Sequence, residues 1–334
     1  MEIEPFSLTL SSPLKTASGT IETRDGFLVR VRIDGTEGLG EATPLSGWTE
    51  PLEVCERTLR EIDNPQSALT DDSLLETPAA RHGLELAVFD SLTRATGQPL
   101  YRFLGGPNRC ENVPVNATVG DGTPAEAVTA AENASNAGFQ AVKLKVGAQS
   151  PQTDLERIEA IRGRCPDIEL RVDANGAWTY DTARRLLPIL SELDVSVAEQ
   201  PLSAGELSKH ARLRGHGVDI AIDEGVIEHG HEAVMDANAA DLLICKPMAL
   251  GGVHRTREII ETARARSMDA IVTTTIDGAI ARVAAVHLAA SVPDIRPCGL
   301  ATADMLNADL IEGVTPVTNG SISVPQGKGN ITRR

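Results

Sequence analysis

The stretch QAVKLKVGA, residues 140–148, alternates apolar and charged residues through Val142, Lys143, Leu144, Lys145 and Val146. A two-residue period predicts a half-buried strand with both lysines on one face. The chain holds six lysines against twenty-five arginines, so two lysines side by side ask for something arginine does not offer. Lysine can give up its proton when desolvated; arginine effectively cannot.

Working outward, strand-like runs recur at VPVNATV (113–119), AVKLKVG (141–147), IELRVDA (168–174), VSVAEQ (195–200), VDIAIDE (218–224), DLLICKP (241–247), DAIVTTT (269–275) and IRPCG (295–299). Amphipathic helical stretches, such as PAEAVTAAENASNAG (124–138) and GGVHRTREIIETARARS (251–267), fill most intervals. Eight strands with helices between them predict an α/β protein built on a parallel β/α barrel over residues 106–305. A doubly wound sheet is the rival, but no Gly-x-Gly-x-x-Gly follows the first strand. No full helix is expected after the eighth strand, which makes the barrel a modified (β/α)7β form.

Residues 1–105 read as a separate α+β capping domain. FLVRVRI (27–33) alternates and runs into Asp34-Gly35, a hairpin signal. PAARHGLELAVFDSLTRAT (78–96) has helical spacing, with Pro78 as its start and Gly97 and Pro99 as its stop. The tail, 306–334, reads as strand-rich and is expected to return and complete this domain.

A chain of 334 residues is long enough to bury a large core. It has no 18-residue apolar run and no secretory leader pattern, so a cytoplasmic protein is expected. The five cysteines, 55, 110, 165, 245 and 298, show no Cys-x-x-Cys spacing, which argues against a disulfide framework and structural zinc. The formal net charge of −16 speaks against nucleic acid and anionic membranes as partners. Acidity joined to scarce lysine also resembles proteins of high-salt cytoplasms.

The last residues of successive strands are charged: Lys143 and Lys145, then Asp173, Glu199, Asp223 with Glu224, and Lys246, at steps of 23 to 28 residues. In a β/α barrel these positions converge on the active-site face. Charges in apolar strands are costly unless paired or metal-bound. A Lys-x-Lys pair alone is an ordinary solvated strand face, and Asp-Ala-Asn-Gly alone is an ordinary turn; recurrence over successive repeats is what points to function. Three carboxylates with no histidine or cysteine among them suit Mg²⁺, with Mn²⁺ as a possible substitute, rather than zinc or copper. Lysines on either side suit removal of a proton next to a metal-held carboxylate. Only one of the adjacent pair Asp223 and Glu224 is expected to point inward, which places Glu224 behind the ligands. A Schiff-base aldolase using Lys246 would not need the carboxylates.

Lys143-Leu144-Lys145, Asp173-Ala174-Asn175-Gly176, Glu199-Gln200-Pro201, Asp223-Glu224 and Lys246-Pro247 together resemble the enolase superfamily, within it the muconate-lactonising-enzyme subgroup. A lysine or histidine base working with magnesium is a general property of that superfamily. The resemblance implies Asp173, Glu199 and Asp223 as metal ligands, Lys145 as general base, Lys246 as a cation across the substrate, and Lys143 as the tuner of Lys145. The seventh strand carries no histidine, unlike mandelate racemases. The segment after strand eight, Gly299-Leu300-Ala301-Thr302, lacks the Asp-x-Asp of dipeptide epimerases and resembles o-succinylbenzoate synthases, as does TTTIDGAIARVAAVHLAA (273–290). That implies dehydration of a small carboxylate substrate in menaquinone biosynthesis, with N-acylamino acid racemisation, or another epimerase or cycloisomerase reaction of the same subgroup, as the alternative. Asn175, Thr274, Thr275, Gly299 and Leu300 would touch the substrate, the threonines and a nearby helix start seating its succinyl group. Lys15, Arg24 and Trp48 are candidate specificity contacts from two covering loops. A homo-oligomer is possible.

Overall fold

The computed structural model describes residues 1–16 and 19–331. The chain opens with three antiparallel strands, β1 (Glu2–Thr16), β2 (Gly19–Ile33) and β3 (Thr36–Ala42). Asp34 and Gly35 join the last two with φ of 48° and 82°, the left-handed pair that a two-residue hairpin needs. A helix over Pro78–Thr96 packs across this sheet. It begins at a proline, whose missing N–H costs nothing there, and ends at Gly97 with φ 70°. The approach is backbone to backbone: a Cβ on Gly40 would stand 2.0 Å from the Gly83 carbonyl oxygen.

Eight further strands follow: β4 (Asn112–Pro114), β5 (Asn116–Val119), β6 (Ala141–Lys145), β7 (Glu169–Asp173), β8 (Val195–Glu199), β9 (Asp219–Ile222), β10 (Leu242–Cys245) and β11 (Asp269–Val272). β5 to β11 form one curled sheet in chain order, every pair parallel. The intervening helices start where the sequence supplies caps. Thr123 and Glu126 form a reciprocal capping box, and Ser150 and Thr179 cap the next two. Val197, Ala221, Leu242, Ile244 and Ile271 form a separate buried cluster of side chains from β8 to β11.

The expected eighth strand, IRPCG, is reduced to two bridging residues. Cys298 pairs with Val115 and Gly299 with Thr273. The Cys298 N–H donates to the Pro114 carbonyl and the Gly299 N–H to that of Val272, so this short segment closes the curl between β11 and β5. Pro297, lacking an N–H, prevents a longer ladder.

The helix Ala279–Ser291 that follows β11 is buried on all sides, which is why its sequence is apolar all round. The tail's two short strands, β12 (Val317–Thr318) and β13 (Ser321–Ser323), build on β4, β13 pairing with β4 and β12 with β13, and neither joins the first sheet. The tail does touch the first hundred residues at several points, among them the Leu306–Leu10 and Gly329–Pro99 bridges, the Asn330 N–H on Asp90 and the Arg94 guanidinium on the Ile331 carbonyl. Residues 332–334 of that tail lie outside the described residues. Among those described, no helix is long and apolar enough to cross a membrane, and all five cysteines are free.

Candidate active site

Parallel register brings the charged strand ends together: Lys145 lies opposite Asp173, and Asp173 opposite Glu199. Asp223 and Lys246 directly follow β9 and β10. The three carboxylates are almost fully buried, at 1 % exposure for Asp173 and 4 % for Glu199 and Asp223. Lys143 Nζ lies 2.8 Å from Glu199 Oε1 and 3.1 Å from Asp173 Oδ2. Lys145 Nζ donates to Asp173 Oδ2 at 2.6 Å and to Asn175 Oδ1 at 2.8 Å. Lys246 Nζ lies 2.5 Å from both oxygens of Asp223. With β9, β8 and β7 between them, Lys246 and the Lys143–Lys145 pair flank the carboxylate row from opposite sides.

Burial opposes the charge on Lys143, but Asp173 and Glu199 outweigh it and hold the ammonium well above the usual lysine range. Burial likewise works against the Asp173 anion, yet Lys143 and Lys145 together pull its carboxyl well below the usual range. Glu199 has only one ammonium against two like charges. Burial and Asp173, with Asp223, push it up in spite of Lys143. Asn175 orients the site from below: its N–H donates to Asp173 Oδ1 and its Nδ2 to Glu224 Oε1. Glu224 therefore stands behind the row, one step removed from Lys145, with Oε2 buried and unpartnered among the described residues.

Three non-glycine residues with positive φ sit at these strand ends: Asn175 at 42°, Gln200 at 38° and Ile276 at 61°. Strain of this kind is maintained where the surroundings over-determine it, as at functional sites. Gln200 is the contributor that sequence reasoning missed. Fully buried, its Oε1 accepts the N–H groups of Asp223 and Gly225 at 3.0 and 3.2 Å and sets the Asp223 backbone.

Of the residues expected at the covering loops, Trp48 reaches the site: Lys246 Nζ stands 3.4 Å above the centre of its ring. Arg24 does not serve as a specificity contact. Only 2 % exposed, it gives its guanidinium to the carbonyls of Thr43, Pro44 and Ile276, a strut between a covering loop and the barrel. The side chain of Lys15 lies outside the described residues.

The expected succinyl seat is also revised. The N–H groups of Gly278, Ile280 and Ala281, at the start of the helix after β11, already donate to the Glu41 carboxylate, and that of Ala279 to Asp309. That helix start has no donor to offer a ligand. The Thr275 hydroxyl donates to Asp277, and the Leu300 side chain is wholly buried. What remains at the rim is the Thr274–Thr302 hydroxyl pair, 3.2 Å apart, beside Gly299. A Cβ at Gly299 would lie 2.6 Å from Thr273 Oγ1.

The donor set suits a hard divalent cation: carboxylate oxygens from three neighbouring strands and no imidazole or thiolate. Among the described residues no three such side chains converge at ligating distance, because each carboxylate is turned to an ammonium. Asp173, Glu199 and Asp223 could hold an ion by exchanging one cation for another.

Two family models divide the chain: "Mandelate racemase / muconate lactonizing enzyme, N-terminal domain" over residues 3–105 and "Enolase C-terminal domain-like" over 126–330. The chain belongs to the enolase superfamily. Within the superfamily it is 31 % identical to the o-succinylbenzoate synthase of Thermobifida fusca, over 93 % of this chain and 87 % of that one. It is 29 % identical to the L-Ala-D/L-Glu epimerase of Bacillus subtilis, over 98 % and 94 %. A dipeptide epimerase of Enterococcus faecalis, solved with Mg and the dipeptide L-Leu-L-Tyr, superposes with a TM-score of 0.87 at 25 % identity, covering 98 % of this chain and 97 % of that one.

Proposed function

We propose that this superfamily member is an o-succinylbenzoate synthase, dehydrating a succinyl-hydroxycyclohexadiene carboxylate to the aromatic product. The observation that carries the reading is the rim beyond β11. Gly299, Ala301 and Thr302 follow the eighth strand, where a dipeptide substrate's ammonium would need carboxylates, and the Thr302 hydroxyl pairs with that of Thr274 from just beyond β11. A neutral, hydroxyl-bearing rim suits a succinyl arm instead. Synthase and epimerase relatives both support proton abstraction next to a carboxylate.

Asp173, Glu199 and Asp223 would hold Mg²⁺, as the dipeptide epimerase neighbour holds Mg, and the ion would neutralise charge that builds on the substrate carboxylate. Lys145, as a neutral amine, takes the proton alpha to the ring carboxylate. The C–H electron pair becomes part of the ring π-system, and the carbon–hydroxyl bond breaks on the same face. Lys145 returns its proton to the departing hydroxyl, which leaves as water. Lys143, held as an ammonium by its two carboxylates, supplies a fixed positive charge beside Lys145. Lys246, opposite, stabilises the developing anion as a fixed cation, with Trp48 against it.

The same two lysines would serve a two-base racemisation, and the curated epimerase relative keeps that reading open. Lys246→Arg separates them. A charge-only role leaves diene dehydration within about tenfold of wild type, whereas a second-base role abolishes racemisation of N-succinylamino acids. Dehydration lost as completely as with Lys145→Arg, alongside robust wild-type racemisation, would overturn the synthase reading.

A further inference from the structure

Arg157, Arg171 and Arg282 head the largest wholly buried side chains. Arg157 is the one behind Lys145. It lies on the helix Pro151–Arg164 and has 0 % side-chain exposure. Its Nη1 donates to the Lys145 carbonyl and to Asp154 Oδ1, each at 2.9 Å, and its Nη2 to the Gly120 carbonyl. The other oxygen of Asp154 accepts the Gly147 N–H at 2.7 Å. This one ion pair therefore grips the backbone on both sides of Val146 and ties it to the end of β5.

The grip begins where the sheet stops. β6 ends at Lys145, and the Val146 N–H makes the next bond, to the Asp173 carbonyl. The turn has no slack on its far side: Gly147 has φ 87°, and a Cβ there would stand 2.6 Å from Ala177 Cβ. A buried ion pair contributes little net stability compared with apolar side chains of similar size, so its placement on this backbone is the feature to explain. We propose that Arg157 and Asp154 are positioning residues that fix the Lys145 backbone and so aim its amine; this rests on the reading of Lys145 as the base.

The test uses the full chain with Mg²⁺, as Arg157→Lys and as the charge-free pair Asp154→Asn with Arg157→Gln, which leaves no uncompensated buried ion. Diene turnover is measured well below each variant's own melting temperature. The expected result is a kcat lowered about 100-fold with KM within about threefold, the signature of a base displaced by roughly an ångström. A folded variant with wild-type kcat, or with the loss confined to KM, would overturn the proposal; so would failure of both variants to fold, which would assign the pair to stability alone. A second readout needs no substrate. Six lysines, reductively methylated with ¹³C, give a short list of resonances, and Lys145→Arg assigns one. That resonance should shift or broaden in the variants while the Lys246 resonance stays in place. An unmoved Lys145 resonance contradicts the proposal, and a wild type inert toward the diene sinks the synthase reading without touching this comparison.

Discussion

Acidification should loosen the contact between the tail and the barrel through one ring. His287 is wholly buried on the helix after β11, its Nε2–H donating to the Asn330 carbonyl at 2.8 Å and its Nδ1 accepting the Tyr101 N–H at 3.3 Å. Both ring nitrogens are used by the neutral form, and burial pushes the pKa down from 6.5 to about 4. The folded pKa lies below the unfolded one, so this stabilisation is complete above pH ~6.5 and is lost as pH falls toward ~4. A gap of that size corresponds to about 3 kcal/mol, most of which is gone by pH ~4.5. Urea unfolding of wild type and His287→Gln at pH ~7.5 and ~4.5 isolates it, because His82 and His210, also lowered by burial, are common to both. Wild type should lose about 2 to 3 kcal/mol more than the variant on acidification. An equal loss in the two proteins would refute the reasoning.

Two further predictions concern the site. Trp48→Leu removes a ring 3.4 Å from the Lys246 ammonium, an interaction of about 1 to 2 kcal/mol when desolvated, so kcat should fall roughly 5- to 30-fold; steady-state kinetics would show it, and an unchanged kcat would count against a role for the ring. Asp173→Asn removes one of three anionic donors, and Mg²⁺ affinity by calorimetry should weaken by at least about tenfold, or 1.4 kcal/mol, whereas undiminished affinity would contradict the ligand assignment.

The carboxylate row was legible because a charge at the end of an apolar parallel strand is hard to explain otherwise, and because parallel register leaves such residues nowhere to go but together. Lys145, Asp173 and Glu199 needed only the strand period and the repeat spacing. The first strand was not legible: Pro5 and Pro13 interrupt its pattern, and its pairing with β2 shifts register between Thr9 and Leu14. The eighth strand was overread because IRPCG fits the repeat spacing, yet only Cys298 and Gly299 pair, Pro297 having no N–H to give. The seat assigned to the helix start failed because a distant segment fills it. Its occupant, Glu41, is 237 residues from Gly278, and no local pattern reveals a carboxylate arriving from that distance. Gln200 stood in a quoted motif, but its work is done by an amide oxygen on the backbone of the next strand, which composition and period do not encode.

The most direct measurement is the loss of diene absorbance on adding the enzyme to the succinyl-hydroxycyclohexadiene carboxylate with Mg²⁺, in dilute and in molar KCl, with and without EDTA. Rapid loss that EDTA abolishes is the expected result. A full-length, folded enzyme that leaves the diene untouched in every salt would contradict the synthase assignment.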